Sequence, residues 1–251
     1  YRDRFYEIII QSTKLFKNIK NIYLIDEKSY KNFINYYQNI YPDNFKLYKY
    51  TYPKYKLPTS NHLFYPMIES GNNELNFIKK YIKNHNIKKK IITISIRDNT
   101  YLKIRNSNLS AWVKFAKKYK KHYQFIFITD NSNIKYYPII ANNDFLTFDF
   151  ISWSIPIRAA LYKLSFLNMS VGSGPIHLSL FQDGCRTLMF LKNHQKLSDS
   201  GYLTAINNYY KIEIGENRGF LNKNNKYILK NDTFVNIEYE FKLFIKNINN
   251  K

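Results

Sequence analysis

The sequence holds a single cysteine, Cys185, so no disulfide can close within the chain. That usage fits a reducing compartment, and the cytoplasm is the expected location. Beside Asp183 and Gly184, ahead of an apolar run, Cys185 reads as a small buried residue rather than a nucleophile. Acidic residues are scarce as well: 18 Asp and Glu stand against 39 Lys and Arg, a formal charge of +21. Histidines number five, and no second histidine or carboxylate pairs with His177 at metal-ligand spacing. No protein-held metal and no other cofactor is therefore expected. No stretch reaches the roughly 18 uncharged apolar residues of a membrane helix. The longest weakly charged stretch, Ile151 to Phe181, is interrupted by Arg158, Lys163 and a Gly/Pro turn. No signal peptide is visible, although the chain opens on Tyr1 rather than Met, which lowers the weight of that absence. Walker, G-x-G-x-x-G, G-x-S-x-G and kinase motifs are absent, as is any repeat with a period of 20–50 residues.

What is present is the material of a folded protein: 45% hydrophobic residues, and 18% aromatic ones supplied mainly by 24 Tyr and 19 Phe. The basic excess raises nucleic acid or an anionic membrane surface as a partner. Its distribution argues otherwise. The lysines fall as scattered pairs and triples such as Lys79-Lys80, Lys88-Lys89-Lys90 and Lys117-Lys118, not as one block or face. The dominant Lys, Asn, Ile, Tyr and Phe are all read from A/T-rich codons, so drift in base composition is a second source of the same bias. A basic nucleic-acid-binding protein remains the alternative from another class, but no nucleic-acid partner is expected. An anionic sugar nucleotide or an acidic glycan suits the same surface.

Helical and strand periods alternate along the chain. Phe5, Ile8, Ile9, Ser12, Leu15, Phe16 and Ile19 share one helical face. A strand at Asn21 to Ile25, a helix from about Glu27 to Gln38 and a strand at Phe45 to Thr51 follow. Pro53, Pro58 and Pro66 mark Tyr52 to Gly71 as a crossover between domains. The pattern then restarts. Asn72 or Asn73 is placed to cap a helix carrying Leu75, Ile78 and Ile82. Ile91 to Ile96 reads as a strand covered on both faces. Trp112, Phe115, Ala116 and Tyr119 mark a helix capped by Asn108 or Ser110. Strands are expected at Phe125 to Thr129, more weakly at Phe145 to Phe148, and at Leu167 to Val171 and Arg186 to Leu191. A helix opens at Ser154 and Pro156, and another runs from about Pro175 to Phe181. Asn217 to Lys226 reads as a polar loop, and the closing helix begins near Thr233 with Asp232 as its cap. Strands alternating with helices of 10–15 residues mean βαβ units and a parallel sheet. The fold class is therefore α/β, with two Rossmann-like domains. Residues 1–70 form the first, incomplete at its N-terminal edge, and residues 71–232 the second. A last helix, 233–251, is placed to cross back onto the first.

Ligands on open parallel sheets bind beyond the carboxyl ends of the strands. At one such end, Val171-Gly172-Ser173-Gly174-Pro175-Ile176-His177 runs from strand to helix through small residues. Gly172 and Gly174 allow close backbone approach, and Pro175 favours the first turn of a helix. Ser173 offers a hydroxyl, and the free amides of a helix start suit a phosphate. The same Gly-Ser-Gly-Pro run is also good turn chemistry with no ligand at all. At a second end, Ile94-Ser95-Ile96-Arg97-Asp98 puts Arg97 where a guanidinium can fork onto a diphosphate, unless Asp98 simply pairs with it. Arg105, on the loop before the Trp112 helix, is a second candidate. Thr129-Asp130 could reach a ribose or only close a turn. His177 could donate to a phosphate, although a lone histidine on an apolar helix is more often structural.

Ser170-Val171-Gly172-Ser173-Gly174-Pro175-Ile176-His177-Leu178 resembles the S-N-D-S-G-P-M-H-L stretch of the heptosyltransferase family. Arg158-Ala159-Ala160-Leu161-Tyr162 before it and Thr187-Leu188-Met189-Phe190 after it fall in the family's order. The resemblance spans roughly residues 90–191. It implies a GT-B fold and a nucleotide-diphosphate sugar held by Ser173, Gly174, Pro175 and His177 at the turn. Ile94-Ser95-Ile96-Arg97-Asp98 looks like the arginine-bearing strand end of the related fucosyltransferases. Transfer of a sugar to an acceptor hydroxyl on a glycan or lipid-linked molecule is what the resemblance implies, with a catalytically inactive nucleotide-binding relative as the other outcome. Two departures stand out: Gly172 replaces the family's acidic residue, and nothing in residues 1–70 matches its catalytic base.

Overall fold

The computed structural model describes residues 11–16, 68–100, 103–129, 138–192 and 225–249. The chain divides into two compact units, residues 1–17 with 60–251 and residues 18–59. The second unit lies outside the described residues, as do the strands expected at 21–25 and 45–51, the helix at 27–38 and nearly all of the 52–71 crossover.

The elements run in the order α1 Gln11–Thr13, α2 Asn72–Asn84, β1 Lys90–Ser95, a 3-10 turn Lys103–Arg105, α3 Leu109–Tyr119, β2 Tyr123–Ile128, α4 Pro138–Ala141 and β3 Leu146–Thr147. There follow α5 Asp149–Trp153, α6 Ile155–Leu164, β4 Leu167–Val171, α7 His177–Leu180, β5 Thr187–Phe190, β6 Asn225–Ile228 and α8 Phe234–Asn249. The six strands form one sheet in the order β3-β2-β1-β4-β5-β6. Every pair in it is parallel. This is the α/β parallel architecture that the alternating periods predict, with both faces of the sheet covered.

Side-chain alternation sorts the two faces. Ile92, Ile94, Phe125, Phe127, Met169, Val171, Leu188 and Phe190 point to a core shared with Trp112 and Phe115 of α3 and Ile237, Phe241 and Phe244 of α8. Ile91, Ile126, Ile128 and Met189 point to the other core, against Ile78 of α2, Ala160, Leu161 and Tyr162 of α6 and Leu180 of α7. Between β1 and β4 the second face is polar instead. Thr93 Oγ1 donates to Asn168 Oδ1 at 2.6 Å, and Ser170 Oγ donates to the Ser95 carbonyl at 2.9 Å. Asn168 Nδ2 donates to the carbonyls of Tyr162 and Arg186. Each of these buried groups has its partner, as a parallel sheet closed on both faces demands. Cys185 is buried, its sulfur accepting from Gln182 Nε2 at 3.5 Å, and burial pushes its thiol up to about 12, an inert side chain.

Several local expectations are corrected. The helical period of residues 5–19 does not persist: α1 ends at Thr13, and Phe16 pairs with Ile68 in an isolated antiparallel bridge. Asn72 and Asn73 lie inside α2, whose N-cap is Gly71, with no side chain capping it. Asn108, not Ser110, caps α3 by accepting from the Ala111 amide at 3.3 Å. β6 occupies Asn225–Ile228, part of which reads as polar loop in the sequence. At the start of α8 the cap is Thr233, whose Oγ1 accepts from the Asn236 amide at 3.3 Å. Asp232 is drawn elsewhere: its Oδ2 accepts from the Asn108 amide at 2.7 Å and the Trp112 indole at 2.9 Å, and its Oδ1 pairs with Lys192 at 2.9 Å. Three partners, one of them cationic, outcompete a single helix-end amide.

Candidate functional site

The strand order reverses between β1 and β4, with β2 and β3 on one side and β5 and β6 on the other. A crevice opens at such a point beyond the carboxyl ends of the two strands. The register pairs Ser95 with Ser170, so the segment after β1 and the segment after β4 leave the sheet as neighbours, roughly one strand spacing or ~4.8 Å apart. Arg97 stands on the first and Gly172-Ser173-Gly174 on the second.

A clamp fixes the loop that follows Arg97. Its amide donates to Ser107 Oγ at 2.9 Å, and its carbonyl accepts from the Ser107 amide at 2.9 Å. Within the loop, Asn106 Oδ1 accepts from the Asn99 amide at 3.0 Å and its Nδ2 donates to the Asn99 carbonyl at 2.9 Å. Lys192, just past β5, donates to the Asn106 carbonyl while paired with Asp232. The loop is thus tied back over the strand ends, which carries Arg105 to β4. Arg105 Nη2 donates to the Gly172 carbonyl at 3.1 Å. The weaker arginine of the sequence reading is the one in direct contact with the glycine turn.

The turn itself differs from the expected helix start. Gly172 is still held to the sheet, its amide donating to the Phe190 carbonyl at 2.9 Å. His177, Leu178 and Ser179 then donate to carbonyls three residues back, at 3.1, 3.2 and 3.0 Å, a 3-10 approach to a helix of four residues. Pro175 lies in this turn rather than in α7. So short a helix aligns few peptide dipoles, and the dipole argument for anion binding loses most of its force. What remains is the turn. Gly174 is exposed, lies outside the left-handed region, and has open space where a Cβ would stand. The amides of Ser173 and Gly174 have no acceptor among the described residues.

His177 faces back into the turn. Its Nδ1 lies 3.0 Å from the Ser173 carbonyl and 3.1 Å from the Gly174 carbonyl, so Nδ1 is the protonated nitrogen. Burial holds its pKa below the usual histidine value, against those two carbonyl bonds, and the nearby Arg105 charge acts in the same downward direction. A neutral ring with its proton on Nδ1 has only an acceptor at Nε2. Such a histidine braces the turn and in its neutral form can receive a hydroxyl; the donated bond to a phosphate considered from sequence requires the protonated ring. Thr129 is used internally: its carbonyl accepts from Ser152 Oγ at 2.8 Å, and its own hydroxyl lies 3.4 Å from the same atom. Asp130 lies outside the described residues.

The sequence reading missed three participants. Lys192 and Asp232 form the brace behind the Asn106 loop, and Arg158 of α6 is buried with only 4% exposure. An aspartate just before a helix is most simply read as a cap, and an arginine one turn into an amphipathic helix as a surface residue. No local signal separates these roles.

No family model matches the chain, and no curated protein does. Among solved structures it is similar to the glycosyl transferase family 9 from Veillonella parvula DSM 2008, with a TM-score of 0.44 and 14% identity over 55% of this chain. The match spans 39% of that protein. At this level of likeness the reading of the site rests on its own geometry.

Proposed function

We propose that this chain carries the donor-binding part of a glycosyltransferase that moves a sugar from a nucleotide-diphosphate donor to an acceptor hydroxyl. One observation carries the reading: at the reversal of a parallel sheet, the segments after β1 and β4 leave side by side, with Arg105 on the Gly172 carbonyl and an open, uncommitted turn beside it. A diphosphate fits that chemistry. Arg97 and Arg105 supply positive charge, and the Ser173 and Gly174 amides supply donors. As the acceptor oxygen bonds to the anomeric carbon, the bond from that carbon to the diphosphate breaks. Negative charge then grows on the departing phosphate, where fixed cations and amides act most strongly. A general base takes the acceptor proton; residues 1–70 form the acceptor side in this reading, and the glycan or lipid-linked acceptor lies there.

A thermal-shift screen with UDP, GDP, ADP and CMP tests the proposal. A ligand that binds the folded state alone at a hundred times its Kd stabilises by about 2.7 kcal/mol, or roughly 5–10 °C in Tm for a chain of this size. One nucleoside diphosphate is expected to give such a shift, and Arg97→Ala and Arg105→Ala to reduce it. No shift with any nucleotide, together with RNA affinity that falls steeply with salt, would replace this reading with the nucleic-acid one. Binding without donor turnover would mark an inactive relative.

A further inference from the structure

Among the described residues, Arg158 is a buried arginine with no counter-charge. It retains 4% of its exposure, and Nε donates to the Tyr162 hydroxyl at 2.9 Å. Among the described residues that is its hydrogen-bond partner, and no carboxylate pairs with it. The other buried charges of the described residues behave differently: Asp232 takes Lys192, and Glu240 takes Lys226 and Lys230. A guanidinium removed from water normally recovers its lost hydration from an anion.

Its position says which anion. The Tyr162 hydroxyl lies 2.7 Å from Ser95 Oγ, at the last residue of β1, and the Ser95 carbonyl in turn accepts from Ser170 of β4. Two hydrogen bonds thus tether Arg158 beneath the point where the strand order reverses. Arg97 stands on the segment that follows β1, and Arg105 donates to the Gly172 carbonyl just past β4. We infer that Arg158 is an anion-binding residue, held by Tyr162, that completes a three-arginine site for a diphosphate at the β1–β4 crevice. The inference rests on the donor-binding reading only for the nucleoside attached to that diphosphate; the anion itself is argued from the lack of a counter-charge on Arg158 among the described residues.

Inorganic pyrophosphate separates the two. Calorimetric titration of the protein with pyrophosphate, alongside unliganded Tm, is run on the parent chain and on Arg158→Gln, Arg158→Lys and Tyr162→Phe. Arg158→Gln is expected to weaken pyrophosphate at least tenfold while leaving the unliganded Tm unchanged or higher, because an unpaired buried charge is removed. Arg158→Lys keeps the charge without the fork and is expected to fall between. Tyr162→Phe frees the guanidinium and is expected to lose affinity several-fold, which carries the test should Arg158→Gln fail to fold. Two results overturn the inference: no pyrophosphate binding by the parent, or intact affinity in Arg158→Gln with a Tm lowered by several degrees, the mark of a purely structural arginine. Pyrophosphate binding that depends on Arg158, with no affinity for any nucleoside diphosphate, supports this inference and sinks the donor-binding reading alone.

Discussion

Gly174→Ala separates a turn built for a ligand from a turn built for itself, because the two accounts predict opposite signs. In the free protein the methyl group meets open space, and the backbone of Gly174 lies outside the left-handed region. The folded state therefore accepts alanine without strain. The unfolded chain loses freedom, a gain of ~0.4–1 kcal/mol in stability, or roughly 1–4 °C in Tm. Were a diphosphate to approach the Gly174 amide, the same methyl would stand in its way. Loss of a hydrogen bond to a charged group costs ~1.5–3 kcal/mol, roughly ten- to a hundredfold in Kd. The expected pattern is a raised melting temperature beside a weakened nucleotide, read by thermal unfolding and by calorimetric titration of the diphosphate that performs best in the screen. Unchanged affinity would refute close approach of the ligand to this turn. A lowered Tm would refute the open space itself.

Three other outcomes follow from the same geometry. Asp232→Asn removes the charge that holds Lys192 and orders the start of α3. It is expected to cost about 3 kcal/mol and lower Tm by roughly 6–12 °C, measured by circular dichroism. His177 has a folded pKa below its unfolded value of about 6.5, so its contribution is complete above that pH and lost as pH falls through the folded value. Stability curves from pH 7.5 to 5 are expected to decline in the parent chain and flatten in His177→Gln; identical slopes would contradict the buried neutral ring. Burial opposes ionisation of Glu240, but hydrogen bonds from Lys226 and Lys230 overcome it and lower its pKa. That stability is present above the unfolded value near 4.3 and lost as pH falls through the folded one. Glu240→Gln is thus expected to cost about 1–3 kcal/mol at pH 7 and progressively less in acid, measured by urea denaturation.

The parts of the fold legible in the sequence are those where packing and pattern coincide. β1, β2 and β4 are buried runs rich in apolar and small residues, and their limits fall within one or two residues of expectation. α8 is legible because Ile237, Phe241 and Phe244 repeat at helical spacing toward α3 and the sheet. β6 is not, because it ends a polar segment and its Asn225 and Lys226 are exchanged for no apolar signal. Its strand character comes from pairing with β5, a partner distant in sequence. The shortness of α7 is hidden for a related reason. Ile176, Ser179 and Leu180 carry a helical pattern, but Gln182 is pulled inward by the Ala159 carbonyl and by Ser70, whose amide and hydroxyl both donate to it. Those contacts hold Gln182, just past the end of the helix, at a position that reads as polar surface.

The candidate site was legible as residue types and not as an assembly. Glycine, serine and proline after a strand name a turn, and an arginine after a strand names a donor, but neither says that the two strands touch. That follows from the order β3-β2-β1-β4-β5-β6, in which elements separated by some seventy residues become neighbours. With β1 and β4 apart, Arg105 would have no Gly172 carbonyl to hold, and Arg158 would have no β1 terminus beneath which to sit. The net charge of +21 carries no such information about position. Lysines such as Lys79, Lys80, Lys114 and Lys117 stand on exposed helix faces, where water compensates them. Whether a carboxylate lies within reach of a buried cation such as Arg158 is a property of the packed sheet, never of the helix that carries it.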